Sequence, residues 1–354
     1  MRKPQSRRAF LIRSATLAIA SWAPRISFAD TISATAISPG LSAAAQNEGK
    51  VVWYTSVDLP VAEKIARRFE AKHPGIPVRV ERNGSERLFQ RIEQELTSGI
   101  HAADVVNTSD GAHFVIWKRA GRLQSYLPSE AAESLPREQI DPDGAFLSWR
   151  ASLSVMGYNT NLVQVHEAPK SFADLLDPKW RGKIVKAHPG YSGTILTATF
   201  QISRDLGWSY LERLARQNVL QVQSSTDPPK KLALGERAVM ADGNEYNVFQ
   251  MKESGQPLEV IYPAEGSPMI TGPSAIFKTA PNPNAARLYQ HYLFAPETQQ
   301  ALCDLGGLRS FYPTVREKAE RKPLREIKLM RDDPAAIADQ SEEIKARYVQ
   351  LFRV

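Results

Sequence analysis

Short apolar segments alternate with longer amphipathic ones from Gly49 onward, and this alternation constrains the fold more than any other feature of the sequence. Residues 51–54 form a run of β-branched and aromatic side chains, which is typical of a buried strand. Residues 60–73 then repeat apolar side chains at helical spacing, and two further strand-like segments, 77–81 and 103–107, flank a second amphipathic helix. This order predicts a mostly parallel sheet covered by helices.

The same alternation starts again near residue 151, so we predict a second α/β unit. A helix is predicted to open at residues 190–194. Strands are predicted at residues 152–158, 183–187, 238–242, 259–262 and 269–278.

We therefore expect an α/β protein with two lobes around a ligand cleft, which suits a chain of 354 residues. We assign residues 49–150 and 269–310 to lobe 1, residues 151–268 to lobe 2, and residues 311–354 to charged C-terminal helices. In such a fold, strand carboxyl ends and helix N-termini meet at the cleft.

The first 29 residues have the organisation of an export signal. Arg7 and Arg8 precede a mildly apolar stretch at residues 15–23, and small residues end the segment. This order resembles a twin-arginine signal and predicts a periplasmic mature protein, with a basic amphipathic surface helix as the alternative. Residues 30–48, rich in Ala, Ser and Thr, are expected to be an N-terminal tail without core-forming periodicity.

The formal net charge of +7 has its origin in this leader. Six of the 45 basic residues and none of the 38 acidic ones lie in residues 1–29, so the rest of the chain carries a net charge of only +1. The charge therefore gives no reason to expect a nucleic-acid partner.

Composition and motifs exclude several other classes. Cys303 is the only cysteine, so an intramolecular disulfide and a Cys-rich zinc or iron–sulfur site are excluded. No run of about 20 apolar residues occurs, so we expect no membrane insertion of the mature chain. The six histidines do not recur at metal-ligand spacing, and the zinc-protease, nucleophile-elbow and nucleotide-binding motifs are missing. We therefore expect no enzyme activity, no cofactor and no metal site.

One segment resembles a known family. Residues 169–183 read PKSFADLLDPKWRGK, which resembles the P-x-S-x-x-D-L-x-D-P-x-W-x-G-K segment of family 1 extracellular solute-binding proteins. Further matches, which together cover roughly residues 49–315 and resemble the ferric-iron-binding-protein-like branch, lie at residues 53–56, 103–106, 156–159, 262–267 and 282–289.

The resemblance implies a type 2 periplasmic binding fold, whose two lobes close on a solute. It also implies the permease and ATPase subunits of an ABC importer as partners, and we expect the chain itself to be a monomer. The branch includes binders of ferric iron, phosphorylated sugars, phosphonates, thiamine and polyamines, so the resemblance does not identify the ligand.

Hydroxyl, glycine and carboxylate residues at strand ends and helix starts are the candidate ligand-binding residues, because such positions can donate to ligand oxygens. Helix capping, a polar loop or a plain turn is the alternative for each. In lobe 1 the candidates are Thr55, Ser56, Asp58, Ser85, Ser109 and Asp110. In lobe 2 they are Ser192, Gly193 and Thr194, which resemble an anion cradle, and Tyr246, where the resemblance implies a tyrosine facing the cleft.

These residues favour a small, oxygen-rich anion as the solute. The alternative importer is specific for ferric iron, but ferric members of the family usually present two adjacent tyrosines where residues 244–247 offer one. A weaker iron site built from Asp58, Glu245 and Tyr246, with Ser109 or Asp110 near it, remains open. An exported hydrolase and a ligand-sensing partner of a membrane receptor are the alternatives of another class.

Overall fold

The computed structural model of the protein describes residues 32–354 together with Met1, so the proposed export signal lies outside the described residues. The strands are β1 Val51–Thr55, β2 Val78–Arg82, β3 Val105–Asn107, β4 Leu147–Leu153, β5 Met156–Asn159, β6 Ile184–Ala187, β7 Leu220–Val222, β8 Val239–Met240, β9 Leu258–Ile261, β10 Ser267–Ile276 and β11 Leu329–Met330. The helices are α1 Pro39–Glu48, α2 Leu59–Lys72, α3 Ser85–Thr97, α4 Gly111–Arg119, α5 Ser129–Ser134, α6 Gly193–Leu206, α7 Trp208–Ala215, α8 Asp227–Ala233, α9 Glu245–Glu253, α10 Pro283–Phe294, α11 Pro296–Gly306 and α12 Pro334–Phe352.

Two sheets define the two lobes, and both have the same strand order. In lobe 1 the order, starting from the outer parallel strand, is β2-β1-β3-β10, and β4 and β11 both pair with β10. In lobe 2 it is β7-β6-β8-β5-β9. Each sheet has three parallel strands and then an antiparallel strand, β10 in lobe 1 and β5 in lobe 2. The predicted α/β fold of type 2 with two lobes is confirmed.

Each sheet separates two layers of apolar side chains. In lobe 1, Trp53 lies edge-on to Trp149, with ring centroids 5.7 Å apart, and both rings are buried. In lobe 2, Phe172 and Trp180 of the 169–183 segment are buried in the core beside Ile184. The residues that carry the family resemblance there thus build the core of lobe 2.

The chain crosses between the lobes at Ser154 and returns at Ser267. The prediction of a single strand over residues 152–158 is wrong, because β4 ends at Leu153 in the lobe 1 sheet and β5 begins at Met156 in the lobe 2 sheet. The apolar pattern continues from β4 into β5 because Ser154 and Val155, which connect them, are also buried. The N–H of Ser154 donates to the carbonyl of Pro268 at 3.0 Å. The chain therefore passes from the lobe 1 sheet to the lobe 2 sheet between Leu153 and Met156, and it is back in the lobe 1 sheet from Ser267.

The predicted tail contains a helix that packs on lobe 1. Leu41 and Ala45 of α1, one turn apart, are buried in the lobe 1 core. The Glu48 carboxylate accepts from the N–H groups of Asn284 and Ala285 at 2.9 and 2.7 Å, so it caps the start of α10. The prediction of a segment without core contacts is wrong, because two apolar residues at helical spacing are enough to dock a short helix.

Residues 311–354 contain a two-stranded pairing and one long helix. β11 pairs with the start of β10, and α12 then packs on α4 of lobe 1 and on α6 and α7 of lobe 2. Ile337 and Ile344 of α12 join an apolar cluster with Leu196 and Phe200 of α6. None of the helices in the described part of the chain combines the length and the apolar character needed to cross a bilayer.

Candidate ligand-binding cleft

A cavity of about 120 Å³ lies between the two lobes. At about 10 to 15 Å³ for each enclosed water, this space suits a ligand with on the order of ten non-hydrogen atoms. The wall residues from lobe 1 are Ser56, Arg82, Asn83, Gly84, Ser85, Arg87, Ser109, Arg150 and Ser152. Those from lobe 2 are Tyr191, Ser192, Thr194, Gln223, Ser224, Ser225, Thr226, Asn244 and Tyr246.

Three helices begin at the wall of this cavity. The residues that precede α3, α6 and α9 are Gly84, Ser192 and Asn244, and all three are wall residues. None of the three caps its own helix with a side-chain hydrogen bond. The first N–H groups of the helices and their positive dipole ends therefore favour an anion in the cavity.

Arg150 is the most buried cation of the wall. Its residue is 3% exposed, its Nη1 donates to Ser152 Oγ at 2.8 Å, and its Nε has no hydrogen-bond partner among the described residues. Burial lowers the pKa of Arg150, although Tyr246 and Asp58 oppose the effect. A buried guanidinium with an unused donor is costly unless an acceptor joins it.

The fold makes room for this side chain on β4. Arg150 pairs with Gly272 on the neighbouring strand β10, and an added Cβ at Gly272 would lie 2.7 Å from the Arg150 Cγ. The glycine therefore lets the arginine side chain cross its neighbouring strand. On the same face, Ser148 and Ser152 are buried, whereas Trp149 packs into the lobe 1 core on the opposite face.

Two more arginines give the wall a positive charge. Arg82 lies 3.3 Å from Asp58, and Arg87 Nη2 donates across the cleft to Gln223 Oε1 at 3.4 Å. Within the described residues, no carboxylate lines the cavity. The wall therefore combines three cations with many hydroxyl groups, which is a donor set for an oxyanion.

Six of the ten predicted site residues line the cavity, and both lobes contribute. The Oγ atoms of Ser85 and Ser109 lie 2.7 Å apart, and the Oγ of Ser56 is buried without a hydrogen-bond partner in the described chain. The six are Ser56, Ser85, Ser109, Ser192, Thr194 and Tyr246.

Three other predicted residues, Thr55, Asp58 and Asp110, have structural contacts outside the wall. Thr55 Oγ1 accepts from the N–H of Val57 at 3.2 Å and closes a turn. Asp58 Oδ2 accepts from Asn247 Nδ2 at 2.9 Å and so links the two lobes. Asp110 caps α4 by accepting from the N–H of Ala112 at 2.9 Å. For these positions the structure favours turn, interlobe and capping contacts over direct lining of the cavity.

Gly193, the tenth predicted residue, lies at a close contact between the lobes. A Cβ added there would lie 2.5 Å from the Asp110 Cβ and 3.1 Å from the Ser85 Cβ. The backbone of Gly193 does not require glycine, since no positive φ occurs there. Because Gly193 has no side chain, the start of α6 in lobe 2 can lie close to lobe 1.

We expect Gly193→Ala to weaken ligand binding by about 10- to 100-fold, because overpacking costs about 1 to 3 kcal/mol in the closed form. The unfolding temperature without ligand should fall little, since an opened cleft relieves the clash. Gly40→Ala is the matched control, because its added Cβ would meet nothing within 4 Å and the residue lies outside the cavity wall. Calorimetric titration measures the effect, and equal affinities for both variants would contradict it.

Sequence reasoning missed the three arginines and the loop at residues 223–226. The signal for Arg150 is the alternation on β4, in which Ser148, Arg150 and Ser152 share one face. The loop follows β7, which has only three residues and gives too weak a pattern to predict.

The residues left open as a weaker iron site are brought together only in part, since Asp58 lies near the hydroxyl of Tyr246 but Glu245 is paired with Arg309. Glu245 accepts from Arg309 Nε and Nη2, both at 2.7 Å, and both residues are buried. Burial, together with the nearby Asp58, raises the pKa of Tyr246 well above its usual value in the metal-free protein. The Glu245 carboxylate, in contrast, is already neutralised by Arg309 and is not free to join an iron site.

A buried acid–histidine cluster lies in lobe 1. Glu86, Asp110 and His113 each offer one ligand atom within 4.8 Å of the others. The sequence analysis did not predict this cluster, because Glu86 is distant in the chain from Asp110 and His113. His113 Nε2 lies 3.1 Å from Glu86, and Lys345 Nζ lies 2.8 Å from the other oxygen of Glu86. With His113 protonated, its charge and that of Lys345 balance the two carboxylates without a bound ion.

Two lobes of type 2 strand order around a polar cavity define a periplasmic-type solute-binding protein. Residues 64–333 match the family described as bacterial extracellular solute-binding protein, and the chain belongs to that family. The predicted membership is confirmed, and the chain is a substrate-binding protein of the ABC-importer type.

Individual relatives differ in their ligands. The periplasmic binding protein AfuA from Actinobacillus pleuropneumoniae, solved with exogenous fructose-6-phosphate bound, has 25% sequence identity and a TM-score of 0.79 over 86% of this chain and 99% of its own. Iron-bound HitA from Pseudomonas aeruginosa shares the fold at 21% identity and a TM-score of 0.74, over 85% of this chain and 99% of its own. A periplasmic protein of Salmonella paratyphi A, named for 2-aminoethylphosphonate binding, is 25% identical over 66% of this chain and 69% of its own.

Proposed function

We propose that the protein binds a small organic dianion, with a phosphonate or phosphate group, and delivers it to an importer. The observation that carries the proposal is Arg150, a buried cation of the cavity wall whose guanidinium donates to Ser152 Oγ and has no carboxylate partner among the described residues. The anionic oxygens of the ligand would accept from this guanidinium and from the first N–H groups of α3 and α6.

The charge of the wall supports this ligand class. Three arginines and no carboxylate among the described wall residues favour more than one negative charge. Two relatives agree with this class, one named for binding of 2-aminoethylphosphonate and one solved with fructose-6-phosphate bound. These two anions are candidates within the class.

Ferric iron is the second candidate, because several relatives carry iron in their names. The wall offers two tyrosines, Tyr191 and Tyr246, but no carboxylate among the described residues, whereas ferric iron prefers anionic oxygen ligands. We therefore rank iron below the organic anion.

The remaining parts of the proposal concern place and partners. The segment at residues 1–29 supports twin-arginine export to the periplasm. The family supports a membrane permease as partner, and an ATPase would supply the energy of import. We propose that the protein acts as a monomer and that it binds its solute without changing it chemically.

A thermal-shift screen of matched pairs tests the ligand class. Each phosphonate or phosphate is paired with a counterpart that lacks this group: 2-aminoethylphosphonate with ethanolamine and fructose 6-phosphate with fructose. Ferric citrate is paired with citrate as the test of iron. A ligand at about 100 times its Kd stabilises the folded protein by about 2.7 kcal/mol. We expect stabilisation by a phosphonate or phosphate and none by the counterpart that lacks this group. Equal stabilisation by both members, or by ferric citrate alone, would contradict the proposal.

A further inference from the structure

Helix α12 is held by both lobes on adjacent turns. Toward lobe 1, Lys345 Nζ lies 2.8 Å from Glu86 Oε2. Toward lobe 2, the hydroxyl of Tyr348 donates to Gln221 Oε1 at 2.8 Å, and its ring lies 4.9 Å from Lys186 Nζ. One helical turn therefore connects a charged contact on lobe 1 with an aromatic contact on lobe 2.

Both contacts are protected from water. Glu86 is 4% exposed and Tyr348 is fully buried, while the Lys345 side chain is 21% exposed. Burial by itself would raise the pKa of Glu86, but His113 and Lys345 outweigh burial and hold the pKa below its usual range. The Glu86 carboxylate therefore stays ionised and keeps its two cationic neighbours.

The lobe 1 contact lies directly behind the ligand cavity. Glu86 follows Ser85 in the first turn of α3, and Ser85 is hydrogen bonded to Ser109 in the cavity wall. Asp110, the residue after Ser109, lies close to His113 of lobe 1 and to Gly193 of lobe 2. A displacement of Glu86 would therefore also displace the lobe 1 residues of the cavity wall.

We propose that Lys345 is a positioning residue for lobe closure: α12, anchored on lobe 2 by Tyr348, holds the start of α3 in its cavity-facing position through Glu86. The C-terminal helix is thus an interlobe clamp. This inference deepens the proposed function, because the clamp favours the closed form to which the solute binds, but the clamp itself can be measured without a ligand.

Pulsed electron spin distance measurements on the ligand-free protein test the clamp. Spin labels are attached at Lys64→Cys on lobe 1 and Glu167→Cys on lobe 2, both exposed positions. Cys303 is buried, with 4% of its surface exposed, which shields the native thiol from the label. We expect Lys345→Met to add a population at longer distance, and Lys345→Arg to restore the original distribution.

Matched variants separate a clamp from a general loss of stability. Glu342→Gln removes the other carboxylate near Lys345, at 3.2 Å and 87% exposed, and we expect it to leave the distances unchanged. Tyr348→Leu should lengthen the distances like Lys345→Met, and the double variant should go no further than either single change, because one clamp is broken in each case. Circular dichroism melts show that each variant is folded at the temperature of the measurement.

Two outcomes would overturn the inference: unchanged distances in folded Lys345→Met, or an equal change in Glu342→Gln. A second readout uses 2-aminoethylphosphonate or another anion found to bind, and we expect Lys345→Met to bind it about tenfold more weakly, since fewer molecules are in the competent form. If no anion in the screen binds, the proposed ligand class fails, whereas the distance measurement still decides whether the clamp exists.

Discussion

Replacing Arg150 with methionine should stabilise the ligand-free protein and at the same time weaken binding of the anion by about 100-fold or more. The side chain is almost fully buried, has one hydrogen bond to Ser152, and has no carboxylate partner within hydrogen-bond distance among the described residues. Removing a poorly paired buried charge is expected to raise the free energy of unfolding by about 1 to 3 kcal/mol. Removing it from a bound anion costs about 3 to 5 kcal/mol of affinity.

Guanidinium chloride unfolding without ligand and calorimetric titration with ligand measure the two effects separately. Arg87→Met is the matched control, because Arg87 also belongs to the wall but is exposed. For this control we expect an affinity change below about tenfold and almost no change in stability. If Arg150→Met lowered stability, or left affinity unchanged, Arg150 would be a structural residue and the ligand site would lie elsewhere.

Arg309→Met should have the largest effect on stability, a loss of about 3 to 5 kcal/mol in the free energy of unfolding. Arg309 lies in the segment after α11 and donates to both oxygens of Glu245 on α9, so it joins the two lobes. Both side chains are 2% exposed. The substitution leaves the Glu245 carboxylate buried with only the hydroxyl of Tyr262 as a partner.

A second change tests this reason for the loss. In Arg309→Met combined with Glu245→Gln, the fully buried Glu245 charge is removed and only the partly exposed Glu317 loses its Arg309 partner, so we expect the double variant to recover at least half of the lost stability. Arg325→Met is the control, because the Arg325 side chain is 82% exposed, and its effect on urea unfolding should be close to zero. A double variant as unstable as Arg309→Met would show that lost packing, not the unpaired carboxylate, is the cause.

Local periodicity was sufficient to predict the central elements of both lobes. The strands at β1, β2, β3 and β6 and the start of α6 lie close to the predicted positions. The crossing at Ser154 was not predictable in this way, because its residues continue the apolar pattern of β4 into β5. Sheet membership depends on long-range pairing, such as that of β4 with β10, which a local pattern does not contain.

The candidate site was predictable where polar residues follow a strand or open a helix. Ser85, Ser109, Ser192 and Thr194 have such positions, and they line the cavity. Arg150 was missed because the sequence pattern of a strand does not distinguish a face that points to solvent from a face that points to a cleft. Asp110 has a position that suits both capping and ligand binding, and only the three-dimensional contacts favour capping.

A crystal structure of the protein with the most strongly stabilising ligand of the paired screen is the most direct test of the anion-binding cleft. We predict that the ligand lies between the lobes, with its anionic group accepting hydrogen bonds from the Arg150 guanidinium and from N–H groups at the start of α3 or α6. A ligand bound outside this cavity, or bound in it with a neutral group against Arg150, would contradict the central claim.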